Sequence, residues 1–283
     1  GDLLMRKSST LRRALAPLQT VAWGGAGMEP GYLVVGTKRG GSTSVAGWIT
    51  RHPEVAPCRA DKGTHYFDVN YTRGRAWFRA AFPKQRAPWR ITGEASPYYM
   101  FHPMSAVRIA AELPDVKLLV VLRDPLARAW SHHAYETARG RETESFERAL
   151  DLEPRRLDGE VARLRQDPAY DSVPFRYHAY LQRGHYDEHL ARLHQYFPVE
   201  NILVLQSERT FAAPNEQMAR VWQFLGLSPY TLTDAKAENA NRPYGDMPPH
   251  LVQRLHDYYR PHNDNLYAMP GIDFRWPDAK EGS

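Results

Sequence analysis

The chain has 283 residues, a formal net charge of +5, and a composition of 42% hydrophobic, 24% charged and 12% aromatic residues. That length suits one large α/β domain or two small ones, and the composition excludes disorder as a description of the whole. No apolar run approaches the roughly 18–20 residues of a membrane span, so integral membrane association is excluded. Cys58 is the single cysteine, which excludes an internal disulfide and favours a reducing, cytoplasmic setting. Among 37 basic residues only seven are Lys. Arg offers a planar fork suited to phosphate and sulfate. No block of five basic residues exists, so nucleic acid is not an expected partner.

Residues 1–30 read as an N-terminal arm. Arg12 and Arg13 precede a modestly apolar stretch that Pro17 and Gln19 interrupt, so the arm is favoured over a twin-Arg export signal. Gly24, Gly25, Gly27 and Pro30 form a loop. The apolar, β-branched run 32–35 then reads as a buried parallel strand, ended by Gly36. After a glycine-rich turn, Val45, Trp48 and Ile49 mark a helix. A weaker strand is predicted at 90–93 and a helix at 104–112. A second core strand, 117–122, runs into Arg123-Asp124-Pro125 and a helix near 126–138. A third is predicted at 201–205, with further helices at 186–196, 216–225 and 250–260. This alternation predicts a three-layer α/β fold, a central parallel sheet flanked by helices, in one domain over 31–283. Residues 140–180 lack clear periodicity and contain Phe175, Tyr177 and Tyr180. Acceptor specificity is expected there, because loops on a rigid scaffold carry it.

The segment Gly36-Thr37-Lys38-Arg39-Gly40-Gly41-Ser42-Thr43-Ser44 joins a strand to a helix. Glycines let the backbone approach an anion, and a helix start offers open N–H groups and a positive dipole end. Gly36 and Gly41 have the spacing of a nucleotide-triphosphate P-loop, but Ser42 stands where its lysine belongs. The fold is thus P-loop-like, and a nucleotide kinase is a rival reading that the missing lysine disfavours. The second motif is Arg123-Asp124-Pro125-Leu126-Ala127-Arg128-Ala129-Trp130-Ser131. Arg123 closes a core strand, where α/β sheets place ligands, and Ser131 follows in the helix. Together they can clamp one phosphate, although Asp124 also suits a plain helix cap. The two motifs jointly describe a ligand with a 5′ diester-like group and a separate 3′-phosphate.

On these residues the chain resembles the sulfotransferases that use PAPS (3′-phosphoadenosine 5′-phosphosulfate), especially the branch containing heparan sulfate sulfotransferases and bacterial homologues. Gly36–Ser44 is similar to the family's 5′-phosphosulfate loop, and Arg123 with Ser131 to its 3′-phosphate contacts. His52-Pro53 and His65-Tyr66-Phe67-Asp68 resemble its acceptor-activating segment. Glu94-Ala95-Ser96-Pro97-Tyr98-Tyr99 resembles its Glu-Lys-Thr-Pro segment. Gly184-His185-Tyr186 and Phe224-Leu225-Gly226-Leu227 match later positions. Arg242, ahead of Pro248-Pro249, resembles the basic residue of a loop that folds over the donor. The resemblance spans roughly residues 31–276.

It implies transfer of a sulfuryl group from PAPS to a hydroxyl on a natural product, sugar or glycolipid, with release of PAP and without a metal. It implies that Lys38 or Arg39 holds the 5′-phosphate and bridging oxygen. Gly40, Gly41, Ser42, Thr43 and Ser44 would cradle the same group, with Arg242 above it. Three positions depart from the family pattern. Arg39 stands at the catalytic lysine, Gly63 at the glutamate base, and Ala95 at a further lysine. His65 is therefore assigned as base, with Glu94 in reserve or orienting it and His132 as a third candidate. Trp48, Tyr66, Tyr98 and Tyr99 are read as core residues or as an acceptor-pocket lining. The departures keep open a PAP-binding protein without turnover. A last rival is a zinc peptidase, because His185-Tyr186-Asp187-Glu188-His189 fits His-x-x-Glu-His. It leaves both phosphate motifs unexplained.

Overall fold

A computed structural model of the chain describes residues 27–235 and 246–277. Of the expected arm, only residues 27–30 fall within it, and Arg242 lies outside the described residues. Five parallel strands form one sheet: β1 (Tyr32–Gly36), β2 (Val55–Ala56), β3 (Ile91–Ala95), β4 (Lys117–Leu122) and β5 (Ile202–Gln206), in the order β2-β3-β1-β4-β5. The helices are α1 (Ser42–Ile49), α2 (Arg75–Arg79), α3 (Ser105–Glu112), α4 (Pro125–Ala138), α5 (Phe146–Leu157), α6 (Glu160–Gln166), α7 (Val173–Tyr177), α8 (Tyr186–His194), α9 (Ser207–Ala212), α10 (Pro214–Leu225) and α11 (Pro249–Tyr267).

Strand alternation sorts the core residues onto two faces. Leu33, Val35, Leu118, Val120, Leu122 and Val204 point to one face, under Ile109 of α3 and Tyr186, Leu190 and Leu193 of α8. Tyr32, Val34, Leu119, Val121 and Leu205 point to the other, under Trp48 and Ile49 of α1 and Val221 and Trp222 of α10. Each such fully buried aliphatic side chain contributes about 1.5–3 kcal/mol. β1 and β4 are neighbours, paired from Tyr32 opposite Lys117 to Gly36 opposite Val120. Their carboxyl ends therefore lie side by side, and both phosphate motifs begin there.

One open alternative is decided and three sequence readings change. Trp48, Tyr66, Tyr98 and Tyr99 are all buried in the core. Residues 140–180 hold three helices, α5, α6 and α7, rather than irregular loop. Strand β2 is a two-residue edge that the sequence does not announce. The last helix runs on through Pro261 to Tyr267.

Candidate active site

The loop after β1 is shaped by backbone needs. Thr37 N–H donates to Val121 O of β4 at 3.0 Å, and Gly40 N–H returns to Thr37 O at 2.9 Å. Gly41, with φ of 97°, precedes α1, and no side chain caps that helix. The amides that open α1 are thus left for an anion, and its first turn holds no acidic residue. A Cβ on Gly40 would stand 2.5 Å from Val121 O, so the close approach of loop and strand requires glycine there.

Arg39, itself at φ of 69°, donates from Nε to Ser131 Oγ at 3.1 Å. Arg123 reaches the Arg39 carbonyl at 3.5 Å. The loop and the Arg-Asp-Pro motif are thereby brought together. Asp124 caps α4 by accepting from Leu126 N–H at 2.9 Å, with Pro125 at the first helical position. Ser42 is buried, Ser44 is half-buried and Thr43 is exposed.

Lys38 turns the other way. Its Nζ donates to Glu136 Oε1 at 2.6 Å and to the Arg176 carbonyl at 3.3 Å. Burial, and then the charge of Arg183, pull the Lys38 pKa down to about 7, against the upward pull of Glu136. Arg183 is fully buried and donates to the carbonyls of Phe175 and Arg176 at the end of α7. Glu136 also pairs with Arg141 at 2.8 Å. His132, 3.5 Å from Glu136, is fully buried. Burial and then Lys38, Arg183 and Arg128 push its pKa well below the ordinary value, which makes it a poor base.

His65 is held at φ of 50°. Its Nδ1 is 2.8 Å from Oδ2 of the buried Asp68, and its ring is about a quarter exposed. Burial opposes protonation of the ring, but Asp68 outweighs it and raises the His65 pKa, with Arg176 opposing. Asp68 is itself held below its usual carboxylate value, His65 overcoming the effect of burial. Among the described residues His65 Nε2 makes no hydrogen bond.

Glu94, at the end of β3, sits behind this histidine rather than beside its ring. It accepts from Thr64 Oγ1 at 2.9 Å, Ser96 Oγ at 2.9 Å, Tyr99 OH at 2.6 Å and the Thr64 amide. Ser96 Oγ in turn accepts from the His65 amide at 3.0 Å. Glu94 thus fixes the backbone that carries His65. Gly63, at φ of 73°, has no room for a side chain: a Cβ would stand 2.2 Å from Ala95 O and 2.7 Å from Glu94 Oε2.

Sequence reasoning missed Glu136, Arg183, Arg176 and Tyr135, whereas Tyr177 lies in the segment where acceptor specificity is expected. Lys38 lies 5.9 Å from the Tyr135 ring centroid and 5.2 Å from that of Tyr177. Arg39 and Arg139 stack on Tyr135, and Arg141 on Tyr177. One signal was available. Arg128, His132 and Glu136 recur at every fourth position of α4 and are fully buried, a charged stripe facing inward. The set as a whole fits a polyanionic donor: Arg39, Arg123, the helix amides and the Ser131 hydroxyl come together at two adjacent strand ends, with Lys38 turned to Glu136 beside them.

Residues 29–240 match the sulfotransferase domain family, and the chain belongs to that family. It is 33% identical to human (Homo sapiens) heparan sulfate glucosamine 3-O-sulfotransferase 6 over 95% of this chain and 80% of that protein. Against human heparan sulfate glucosamine 3-O-sulfotransferase 3B1 it is 30% identical, over 87% of this chain and 65% of that one. The crystal structure of a sulfotransferase from Alicyclobacillus acidocaldarius superposes with a TM-score of 0.71 at 26% identity, covering 87% of this chain and 98% of the other. The chain is a PAPS-dependent sulfotransferase with the P-loop-like α/β fold of that family. No helix of the described residues is long and apolar enough to cross a membrane.

Proposed function

We propose that this enzyme moves the sulfuryl group of PAPS by in-line displacement to a sugar hydroxyl, with His65 as general base and Lys38 as the charge-stabilising group. PAPS supplies an already activated sulfuryl group. The protein's part is therefore to position two oxygens and offset charge on the departing one.

The observation that carries this reading is a pair of tuned groups on which one helix acts. The Arg176 carbonyl of α7 accepts from Lys38, and the Arg176 charge acts on His65. His65 turns Nδ1 to Asp68, which orients the ring and leaves Nε2 to take the acceptor proton. Lys38 donates to the leaving oxygen. Arg39, Arg123 and Ser131 hold the phosphates, with the α1 amides beneath the 5′ group. Arg242 would complete the cover. Glu94 orients the His65 segment and does not touch the acceptor.

A sugar is favoured over other hydroxyls by the surroundings of Lys38, where the Tyr135 and Tyr177 rings carry Arg139, Arg141 and Arg176. Aromatic faces suit pyranose rings, and cations suit acidic substituents on them. The relatives' names, which specify a glucosamine 3-hydroxyl, agree in class. The experiment is turnover of sulfur-labelled PAPS with hydroxyl acceptors of three kinds: amino-sugar oligosaccharides, glycolipids and polyphenols. Label on the sugar acceptors supports the proposal. Label on polyphenols alone, or PAP binding with no transfer to any acceptor, contradicts it.

A further inference from the structure

We propose that His185, Glu188 and His262 form a binding site for a zinc-like divalent metal ion, which fastens the start of α8 to α11. His185 immediately precedes α8, Glu188 lies in its first turn, and His262 comes from α11. The two imidazole rings stack with centroids 3.8 Å apart and planes 14° apart. His185 Nδ1 lies 3.4 Å from Glu188 Oε1, and His262 Nδ1 lies 3.9 Å from the same oxygen. One donor atom from each residue falls within 4.8 Å of the others. Tetrahedral zinc with ligands near 2.0–2.2 Å needs donors about 3.3 Å apart, so the set closes when the exposed Glu188 and the half-buried His262 ring turn towards His185 Nδ1.

The surroundings suit a metal. His185 Nε2 is engaged by Tyr258 OH at 2.8 Å, an outer partner that fixes the ring and turns Nδ1 towards Glu188. Asp187 Oδ1 lies 2.9 Å from His262 Nδ1, and Asn265 Nδ2 donates to the other Asp187 oxygen at 3.1 Å. An ion at this point takes the Nδ1 lone pair of neutral His262 in the tautomer that carries its proton on Nε2, with the Asp187 carboxylate alongside.

The His-x-x-Glu-His pattern in the sequence does not assemble as written. His189 is buried and its Nε2 faces Gln182 O at 2.8 Å. His262 takes its place in the cluster. The role is a clamp. Tyr186, next to His185, donates its hydroxyl to the Arg123 carbonyl at 2.8 Å, so stiffening the start of α8 steadies the strand end that carries Arg123.

The test is zinc content of the full chain, stripped with chelator, loaded with zinc and dialysed. Wild type is expected to retain one zinc per chain and to unfold at higher temperature than the stripped protein. His262→Gln and Glu188→Gln are expected to lose both effects, while His250→Gln, at an exposed histidine, keeps them. An unchanged PAP-induced thermal shift in His262→Gln shows that it is folded. Cobalt(II) is expected to give ligand-field bands in wild type that His262→Gln lacks. Zinc retained equally by His262→Gln, zinc lost on dialysis of wild type, or zinc lost in His250→Gln would each overturn the proposal.

Discussion

Arg39 Nε and Ser131 Oγ meet at 3.1 Å, and that contact joins two motifs that lie 92 residues apart in the chain. One belongs to the loop after β1 and the other to the helix after β4. The neighbouring pairing of those strands makes the contact possible. A donor with phosphates at both ends of its ribose finds cations from both strand ends side by side.

Arg123 serves the 3′-phosphate in this account, so its loss should be selective. Arg123→Ala is expected to weaken PAP by about 10–100-fold, the worth of one charge-assisted hydrogen bond at roughly 1.5–3 kcal/mol. Binding of adenosine 5′-phosphate, which lacks the 3′-phosphate, should change little. Calorimetric titration of both ligands checks this, and equal losses for the two would contradict the assignment.

His65 acts as base only when neutral, and Asp68 raises its pKa. The rate in kcat/KM is therefore expected to climb with pH through a value raised from that of an ordinary histidine. Asp68→Asn removes the carboxylate and should move that limb to lower pH, while also lowering kcat through loss of orientation. His65→Ala should cost roughly 10²–10⁴-fold in kcat. A pH profile of each variant decides, and an unmoved acidic limb in Asp68→Asn would rule His65 out.

Lys38 stabilises charge only when protonated. With a pKa of about 7, kcat/KM should fall as pH rises through neutrality, closing a bell with the histidine limb. Glu136 raises the lysine's pKa, so Glu136→Gln is expected to shift the basic limb to lower pH. Lys38→Met should abolish that limb together with most of the rate. A basic limb unaltered in Glu136→Gln would point to Arg39 as the charge-stabilising residue.

Gly63 cannot be converted into the family's glutamate at no cost. Its positive φ and the crowding against Ala95 O and Glu94 Oε2 predict that Gly63→Ala and Gly63→Glu lose about 1–3 kcal/mol of stability. Neither should restore a base, because the new side chain meets the carboxylate that anchors Thr64. Thermal unfolding with activity measured below the transition tests both statements.

Much of the sheet was legible because buried parallel strands read as unbroken apolar runs. The strand at 117–122 was placed to the residue, and those at 32 and 201 to within one. α5 was missed for a physical reason. Its inward face includes Glu153, whose carboxylate accepts the amides of Tyr180, Leu181 and Gln182, and Pro154 interrupts the run. A buried charge on a helix erases the apolar periodicity by which helices are read. The pairing of Lys38 with Glu136 was invisible for another reason. It follows from strand order and from the turn of α4 back over the loop, which no local pattern encodes. Likewise the glycine at 63 read as a missing base, whereas its conformation and the closeness of Glu94 emerge only in three dimensions.

The central claim is that the β1 loop and the β4 strand end together hold PAPS. Thermal unfolding of the whole chain with PAP, and separately with ATP and Mg²⁺, tests it most directly. PAP at about 100 times its dissociation constant adds roughly 2.7 kcal/mol, a rise of several degrees for a domain of this size. The account predicts that rise with PAP, unaffected by chelator and lost in Arg123→Ala. A chain that ignores PAP and is stabilised by ATP with Mg²⁺ would contradict it.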